Sequence, residues 1–316
     1  MEVVLVTGGS GLVGNAIRNE INNSINSYYS ENYSFVFSNS SKCNLCDYDS
    51  TLEYFKKIQP NYVIHLAANV GGLYKNMNKK VEMLEDNLLI NINVLKCCKI
   101  INVKKLINCL STCIFPDNVE YPITEDKLHE GPPHWSNDSY AYAKRLLEVQ
   151  SNAYNTQYNT NFICIIPTNI YGQYDNYNLE DSHVIPGLIH KFYIAKKNNE
   201  NVVIRGSGLP RRQFIYSIDL AKLILEILKK YNNNNNIILS PTEEVSIKEI
   251  ALIIADTINF EGQILYDMSY SDGQYKKTID NKKLMKFLPD FKFTPLDIGI
   301  KESVDWFIEN YENIRK

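Results

Sequence analysis

The chain lacks the features that mark membrane-spanning, secreted or nucleic-acid-binding proteins. No apolar run reaches the roughly 18 to 20 residues needed to cross a bilayer, so no membrane partner is expected. Neither a cationic start nor a small-residue cleavage site accompanies the first apolar stretch, Val3-Val4-Leu5-Val6, which points to a cytoplasmic protein. Basic residues gather no further than pairs such as Lys79-Lys80, Lys104-Lys105 and Arg211-Arg212, and 33 Lys+Arg face 36 Asp+Glu for a net charge of -3. Phosphate polymers need a concentrated cationic face, so nucleic acid is not expected as a partner. The seven cysteines are an odd set, mostly inside apolar segments, where thiols behave as small hydrophobes in a reducing compartment. Cys43 and Cys46 have metal or redox spacing but no second pair or His cluster to complete a site, so they read as two free thiols and no metal is expected.

What remains is an ordinary globular composition. With 316 residues, 44% hydrophobic and 22% charged, the chain holds enough apolar mass for one large or two moderate cores, and collagen, coiled coil and wholesale disorder are excluded. Strand-length apolar runs at Val3 to Val6, Ser34 to Phe37, Tyr62 to Leu66, Leu106 to Leu110 and Phe162 to Ile166 alternate with helix-length segments at Leu12 to Asn22, Ser50 to Lys57, Asp86 to Ile101 and Tyr140 to Tyr158. That rhythm predicts an α/β fold, a doubly wound parallel sheet whose strands are apolar on both faces because helices cover both. After Pro167 the rhythm loosens. Helices are predicted over Val184 to Lys197, Ser217 to Tyr231, Ser246 to Thr257, Asn281 to Phe287 and Pro295 to Tyr311, a strand near Ile264 to Tyr266, and a solvated loop at Asn232 to Asn236. We expect residues 1–172 with 213–240 to form a nucleotide-binding domain, and 173–212 with 241–316 a smaller C-terminal substrate-binding lobe.

Gly8-Gly9-Ser10-Gly11-Leu12-Val13-Gly14 follows the first strand and opens the first helix. Glycine permits the tight turn, lets main-chain N–H groups approach a pyrophosphate and allows close helix–strand packing, while the helix N-terminus supplies a positive dipole. The strand–turn–helix context makes this the Rossmann-like signature of a dinucleotide site. A carboxylate usually ends the second strand when the dinucleotide is NAD; here the residues are Phe37-Ser38-Asn39-Ser40-Ser41-Lys42, which favours NADP(H). Leu45 and Asp47 are candidates for the adenine, with a helix cap as the equal alternative for Asp47.

Tyr140 and Lys144 lie four apart in a helical pattern and project from one face. A phenol beside an ammonium loses its proton more easily, giving an acid for a developing alkoxide, and Ser111, at the end of the fourth strand, can hold a carbonyl oxygen. Together these residues resemble the extended short-chain dehydrogenase/reductase family over nearly the whole chain. Further segments sharpen the resemblance: His65 to Gly72, Ser111-Thr112-Cys113-Ile114-Phe115-Pro116, Ile166 to Gly172, Ser182-His183-Val184-Ile185-Pro186 and Pro210-Arg211-Arg212-Gln213-Phe214. They are similar to the family's bifunctional members that epimerise GDP-4-keto-6-deoxy-D-mannose at C3 and C5 and reduce it at C4 with NADPH.

The resemblance implies that Ser111, Tyr140 and Lys144 serve the carbonyl chemistry, with Cys113 and His183 as the epimerisation base and acid. It implies NADP contacts from the glycine turn, from Lys144, from Pro167, Thr168, Asn169 and Ile170, and from His183. It implies GDP-sugar contacts from Lys191, Arg212 and Asp272, and from Arg205 where the family commonly has tryptophan. A planar guanidinium suits a diphosphate, so Arg212 is the expected partner there and Arg211 faces solvent. It also implies a homodimer through outer helices, for which Asp86 to Ile101 and Tyr140 to Tyr158 are candidates. Asn87 and Asn91 are expected to make buried hydrogen bonds near the site. Two alternatives stand beside this reading. One is a nucleotide-sugar 4-epimerase or 4,6-dehydratase that retains NAD, and the other is a non-catalytic NADP-binding regulator.

Overall fold

The computed structural model describes all residues except 24–27, 271 and 273. Its centre is a six-stranded parallel sheet whose successive residues feed two different cores. The strands are β1 (Glu2–Thr7), β2 (Tyr33–Phe37), β3 (Tyr62–His65), β4 (Lys105–Cys109), β5 (Phe162–Pro167) and, at one edge, Ile237–Leu239. Side chains alternate across a strand. Val4, Val6, Ile64, Ile107, Ile163 and Ile165 therefore pack on one face, and Leu5, Val63, Leu106, Phe162, Cys164 and Ile166 on the other. On the first face the helix Leu12–Asn23 packs on Ser217–Lys230; on the second lie Tyr48–Ile58, Lys80–Ile101 and Asp138–Tyr158.

From the opposite edge the order runs β2-β1-β3-β4-β5 and then Ile237–Leu239, so the winding reverses between β1 and β3. Open α/β sheets bind ligands in the crevice at such a switch point, beyond the strands' carboxyl ends. The glycine turn sits there.

A third core belongs to the C-terminal lobe. Val184–Asn198, Ile247–Ile258 and Leu296–Asn310 enclose it with a parallel pair, Val202–Arg205 and Ile264–Asp267. Tyr171, Phe214 and Tyr216 also pack there, because Asn169–Tyr171 pairs with Phe214–Tyr216 where the chain leaves and re-enters the sheet domain. Several helices stop at an asparagine in the left-handed region: Asn102 (φ 58°), Asn159 (52°), Asn199 (56°) and Asn259 (56°). Asn is the side-chain-bearing residue that best tolerates this conformation. No described helix is long and apolar enough to cross a membrane.

Candidate active site

The glycines of the turn meet different demands. A Cβ on Gly14 would lie 2.6 Å from the Gly9 Cα, and one on Gly9 2.7 Å from the Phe37 Cβ. Gly8 sits at φ +68° with the Ala67 nitrogen 2.8 Å from its would-be Cβ. At Gly11 the nearest atom is the Gly8 oxygen at 3.3 Å, so protein packing does not demand glycine there, whereas close approach of a phosphate does. The turn forms one end of a cavity of about 790 Å³, a volume suited to a large ligand.

Beyond β2 the wall is Ser38, Asn39 and Ser40. Arg18 lays its guanidinium 4.5 Å from the Phe37 ring centroid, and Lys42 Nζ donates to the Phe37 carbonyl at 2.9 Å. Two cations thus flank the end of β2. Sequence reasoning missed Arg18, whose place inside an amphipathic helix gave no sign that the fold sets it against Phe37. Asp47 is settled as a helix cap, accepting from the Ser50 N–H at 2.7 Å, and only Leu45 of that pair lines the cavity. Cys43 and Cys46 line it as free thiols, both pushed up by burial.

At the middle of the cavity stand Ser111, Cys113, Tyr140 and Lys144. Ser111 caps the tight turn Thr112–Ile114, its Oγ accepting from the Cys113 N–H at 3.4 Å. Lys144, 2% exposed, donates to the Cys109 carbonyl at 2.9 Å and lies 5.9 Å from the Tyr140 ring centroid. Here the structure corrects one expectation. The Tyr140 phenol is not acidified: burial, with Cys113 and Cys109 close by, pushes it well above its ordinary value. Burial likewise raises the Cys113 thiol against the pull of the Ser111 hydroxyl, Lys277 and Lys144. Lost hydration outweighs the neighbouring cations because a buried phenolate or thiolate has no water to replace.

The supports of this machinery are hydrogen-bonded as Asn87 and Asn91 foretold. Thr7 Oγ1 bonds His65 Nδ1 at 2.8 Å, His65 Nε2 bonds Asn91 Oδ1 at 3.2 Å, and Asn91 Nδ2 donates to the Ala143 carbonyl at 3.3 Å. That relay ties β1 and β3 to the helix bearing Tyr140 and Lys144. Asn87 clamps both main-chain groups of Asn69, each at 3.0 Å.

Pro167, Thr168, Asn169 and Ile170 form the wall past β5, with Thr168 Oγ1 buried and unpartnered among the described residues. His183 precedes the helix Val184–Asn198 but makes no side-chain cap, and its ring opens onto the cavity. Enclosure by the walls, with Arg315 nearby, pushes its imidazole below the usual range. Arg212 and Asp272 line the far end, Arg212 donating to the Arg211 carbonyl at 2.7 Å and Asp272 accepting from Ser207 N–H and Oγ, each at 2.7 Å. Arg211, as expected, turns away to Glu244 and Glu249.

Lys191 and Arg205 do not line this cavity. The Arg205 guanidinium rests between Tyr74 (5.1 Å) and Tyr270 (4.8 Å), and lowers the Lys191 ammonium's pKa after burial does so. The two tyrosine rings hold the Arg205 guanidinium outside the wall. Lys277 does line it, unforeseen: Nζ donates to the Thr112 carbonyl at 3.2 Å, and burial pushes it down to about 8.

A glycine turn at the switch point and a Ser–Tyr–Lys group on one cavity define a nucleotide-dependent enzyme of the short-chain dehydrogenase type. The chain belongs to the NAD dependent epimerase/dehydratase family, whose profile matches residues 4–239. Over nearly its full length it is similar to GDP-L-fucose synthases. It is 53% identical to that of Dictyostelium discoideum, across 99% of this chain and 97% of the relative. It is 47% identical to a probable GDP-L-fucose synthase of Drosophila melanogaster, across 100% of both. Among solved structures, a GDP-L-fucose synthetase from Naegleria fowleri bound to NADP matches with a TM-score of 0.92 and 45% identity, covering 100% of this chain and 96% of that one.

Proposed function

We infer that this protein is an NADPH-dependent 3,5-epimerase and 4-reductase that converts GDP-4-keto-6-deoxy-D-mannose to GDP-L-fucose. One observation carries the reading: a single cavity joins the glycine turn to Ser111, Cys113, Tyr140, Lys144 and His183, in a chain about half identical to GDP-L-fucose synthases end to end. The residues present fit NADP(H). Gly11 leaves room for a phosphate, the end of β2 carries Arg18 and Lys42 with no acid, and Thr168 offers an unpartnered hydroxyl. Gly8 to Gly14, Lys144, Pro167 to Ile170 and His183 would hold the cofactor, which supplies hydride to C4 when bound.

The substrate explains why one site suffices. C3 and C5 both flank the C4 ketone, so loss of a proton from either carbon gives an enolate on the same oxygen. Ser111 and Tyr140 donate to that oxygen during enolisation, and Tyr140 protonates it after reduction. The raised proton affinity of Tyr140 keeps the phenol a donor at neutral pH. Lys144, fixed by the Cys109 carbonyl, supplies positive charge beneath it. Cys113 accepts the carbon-bound proton in its thiolate form, which Ser111, Lys277 and Lys144 favour against burial, and His183 in its imidazolium form returns a proton from the other face of the ring; before the second carbon reacts, the thiol gives its proton to solvent and the imidazole takes one up. Arg212 takes the diphosphate. Asp272 contacts the GDP portion at the cavity's far end, whereas Lys191 and Arg205, outside the wall, would meet only a part of the nucleotide that extends beyond it.

The reading includes a cytoplasmic homodimer. Its support is an exposed apolar stripe of Val81, Leu89, Ile100, Leu146 and Val149 on the packed helices Lys80–Ile101 and Asp138–Tyr158.

Incubation with the keto sugar and NADPH should yield GDP-L-fucose, and in D2O the product should carry deuterium at C3 and C5. Cys113→Ser should abolish that deuterium while slow C4 reduction of the unepimerised ketone persists. Equal loss of both steps would contradict the division of roles, and no wild-type product would refute the function.

A further inference from the structure

Four charged residues on the cavity wall have no part in the mechanism above; Asp86 and Asp181 accept from the side-chain amides of Asn69 at 2.9 Å and Asn176 at 3.1 Å, which leaves Asp175 and Arg315. Asp175 is 6% exposed and follows Tyr174, whose φ of 65° is one a tyrosine adopts only where its surroundings impose it. Its Oδ1 accepts from the adjacent Asn176 N–H at 2.7 Å, while Oδ2 is buried with no partner among the described residues. An acceptor left in that state is costly, and its persistence beside a ligand cavity calls for a donor that arrives with function.

Arg315 reaches the same wall from the C-terminal lobe. After the helix Leu296–Asn310 the chain turns back, Ile314 buries its side chain to 9% exposure, and the Arg315 carbonyl accepts from the Tyr177 N–H at 2.9 Å. The main chain is thus pinned two residues from Asp175, yet the guanidinium makes no hydrogen bond or ion pair among the described residues. It lines the same cavity as Asp175 and His183, and its charge is felt at both. A guanidinium presents parallel N–H donors that match two neighbouring oxygens, as on the ring of a hexose.

We propose that Arg315 is a substrate-binding residue that donates to oxygens of the sugar ring beside His183, and that Asp175 is a positioning residue whose Oδ2, unpaired in the free protein, accepts from the guanidinium when it swings onto the bound sugar. The proposal rests on the keto-sugar reading of the site. It places the sugar's orientation, on which proton delivery to C3 and C5 depends, partly in the hands of a tail remote in sequence from every motif.

The test is steady-state kinetics with GDP-4-keto-6-deoxy-D-mannose and NADPH on Arg315→Ala, Arg315→Lys, Asp175→Asn and the Asp175→Asn/Arg315→Ala double variant, with NADPH affinity measured by fluorescence. Arg315→Ala should raise KM for the keto sugar about ten- to hundredfold, the span of a hydrogen bond to a charged group, with NADPH affinity unchanged. Arg315→Lys should recover only part, because a point charge cannot span two oxygens. Asp175→Asn should raise KM about tenfold alone and add nothing in the Arg315→Ala background, since it acts through the guanidinium. An unchanged KM in Arg315→Ala overturns the proposal. So does NADPH affinity falling in step with KM, or an Asp175→Asn effect that persists undiminished without Arg315. Wild-type turnover, measured in the same series, separates failure of this clamp from failure of the keto-sugar reading.

Discussion

Gly14 and Gly11 stand three positions apart in one turn, and glycine answers a different need at each. A Cβ at Gly14 would press on backbone, 2.6 Å from the Gly9 Cα, and backbone cannot move aside as a side chain tip can. Gly14→Ala should therefore cost about 1 to 3 kcal/mol of stability, seen as a lower Tm without any ligand. A Cβ at Gly11 meets only the Gly8 oxygen at 3.3 Å and otherwise projects into the cavity. Gly11→Ala should keep the wild-type Tm and lose NADPH affinity; a Tm loss equal to that of Gly14→Ala would reject the distinction. The motif was plain in the sequence, but the two reasons for it were not, since both depend on which atoms lie opposite the missing Cβ. The titration of Tyr140 and Cys113 was unreadable for the same reason. A cation four residues away in a helix is visible in a sequence, whereas the loss of water around a phenol is not.

Among the elements, the junction of β4 with the helix Ser217–Lys230 carries a buried charge. Lys105, 4% exposed, donates to the carbonyls of Leu228 at 2.8 Å and Ile227 at 3.1 Å, joining the Tyr231 N–H that also bonds Ile227 at this helix end. Burial pushes its ammonium down to about 8 from 10.5. The folded form then sheds the proton first, and between those values the unfolded chain binds more protons, so stability rises with pH across that window. Below about 8 the burial penalty is fully present. Lys277 shifts the same way, while the seven cysteine thiols, all raised by burial, oppose the trend from about 9, and Tyr29, Tyr171 and Tyr216 oppose it above 10. The Lys105 part is therefore read as a difference: in urea unfolding between pH 8 and 10, Lys105→Met should lower the slope of stability against pH relative to wild type. An unchanged slope would mean that Lys105 keeps its hydration. The helix and strand themselves were legible in their periodicity, because packing on both sheet faces demands unbroken apolar runs. Lys105 stood at the edge of such a run as an unremarkable solvated residue.

For the molecule as a whole, the proposed dimer rests on the exposed apolar residues of Lys80–Ile101 and Asp138–Tyr158. Leu146 is 47% exposed and Leu89 46%, on helices whose other faces are fully committed to the sheet. Apolar groups concentrated in one patch favour a self-complementary two-fold contact. Leu146→Glu should convert a dimer to a monomer in sedimentation at micromolar concentration while leaving the cavity intact. A wild-type chain that sediments as a monomer would remove the homodimer.

Chemistry carried by neighbours in the chain was open to reading from the residues alone: the glycine turn, the Tyr140–Lys144 spacing, Ser111 at a strand end and the alternation of strand and helix all act over a few positions, whereas the role of Cys113 came only with the family resemblance. Residues that meet across long stretches of chain could not be read in this way. Arg18 against Phe37, Lys277 beside Cys113, and Arg315 near Asp175 and His183 come together through packing of three separate cores. Local pattern records the period of an element and its turn chemistry, but the dielectric and the far-side partner of a group exist only once the chain has closed around it.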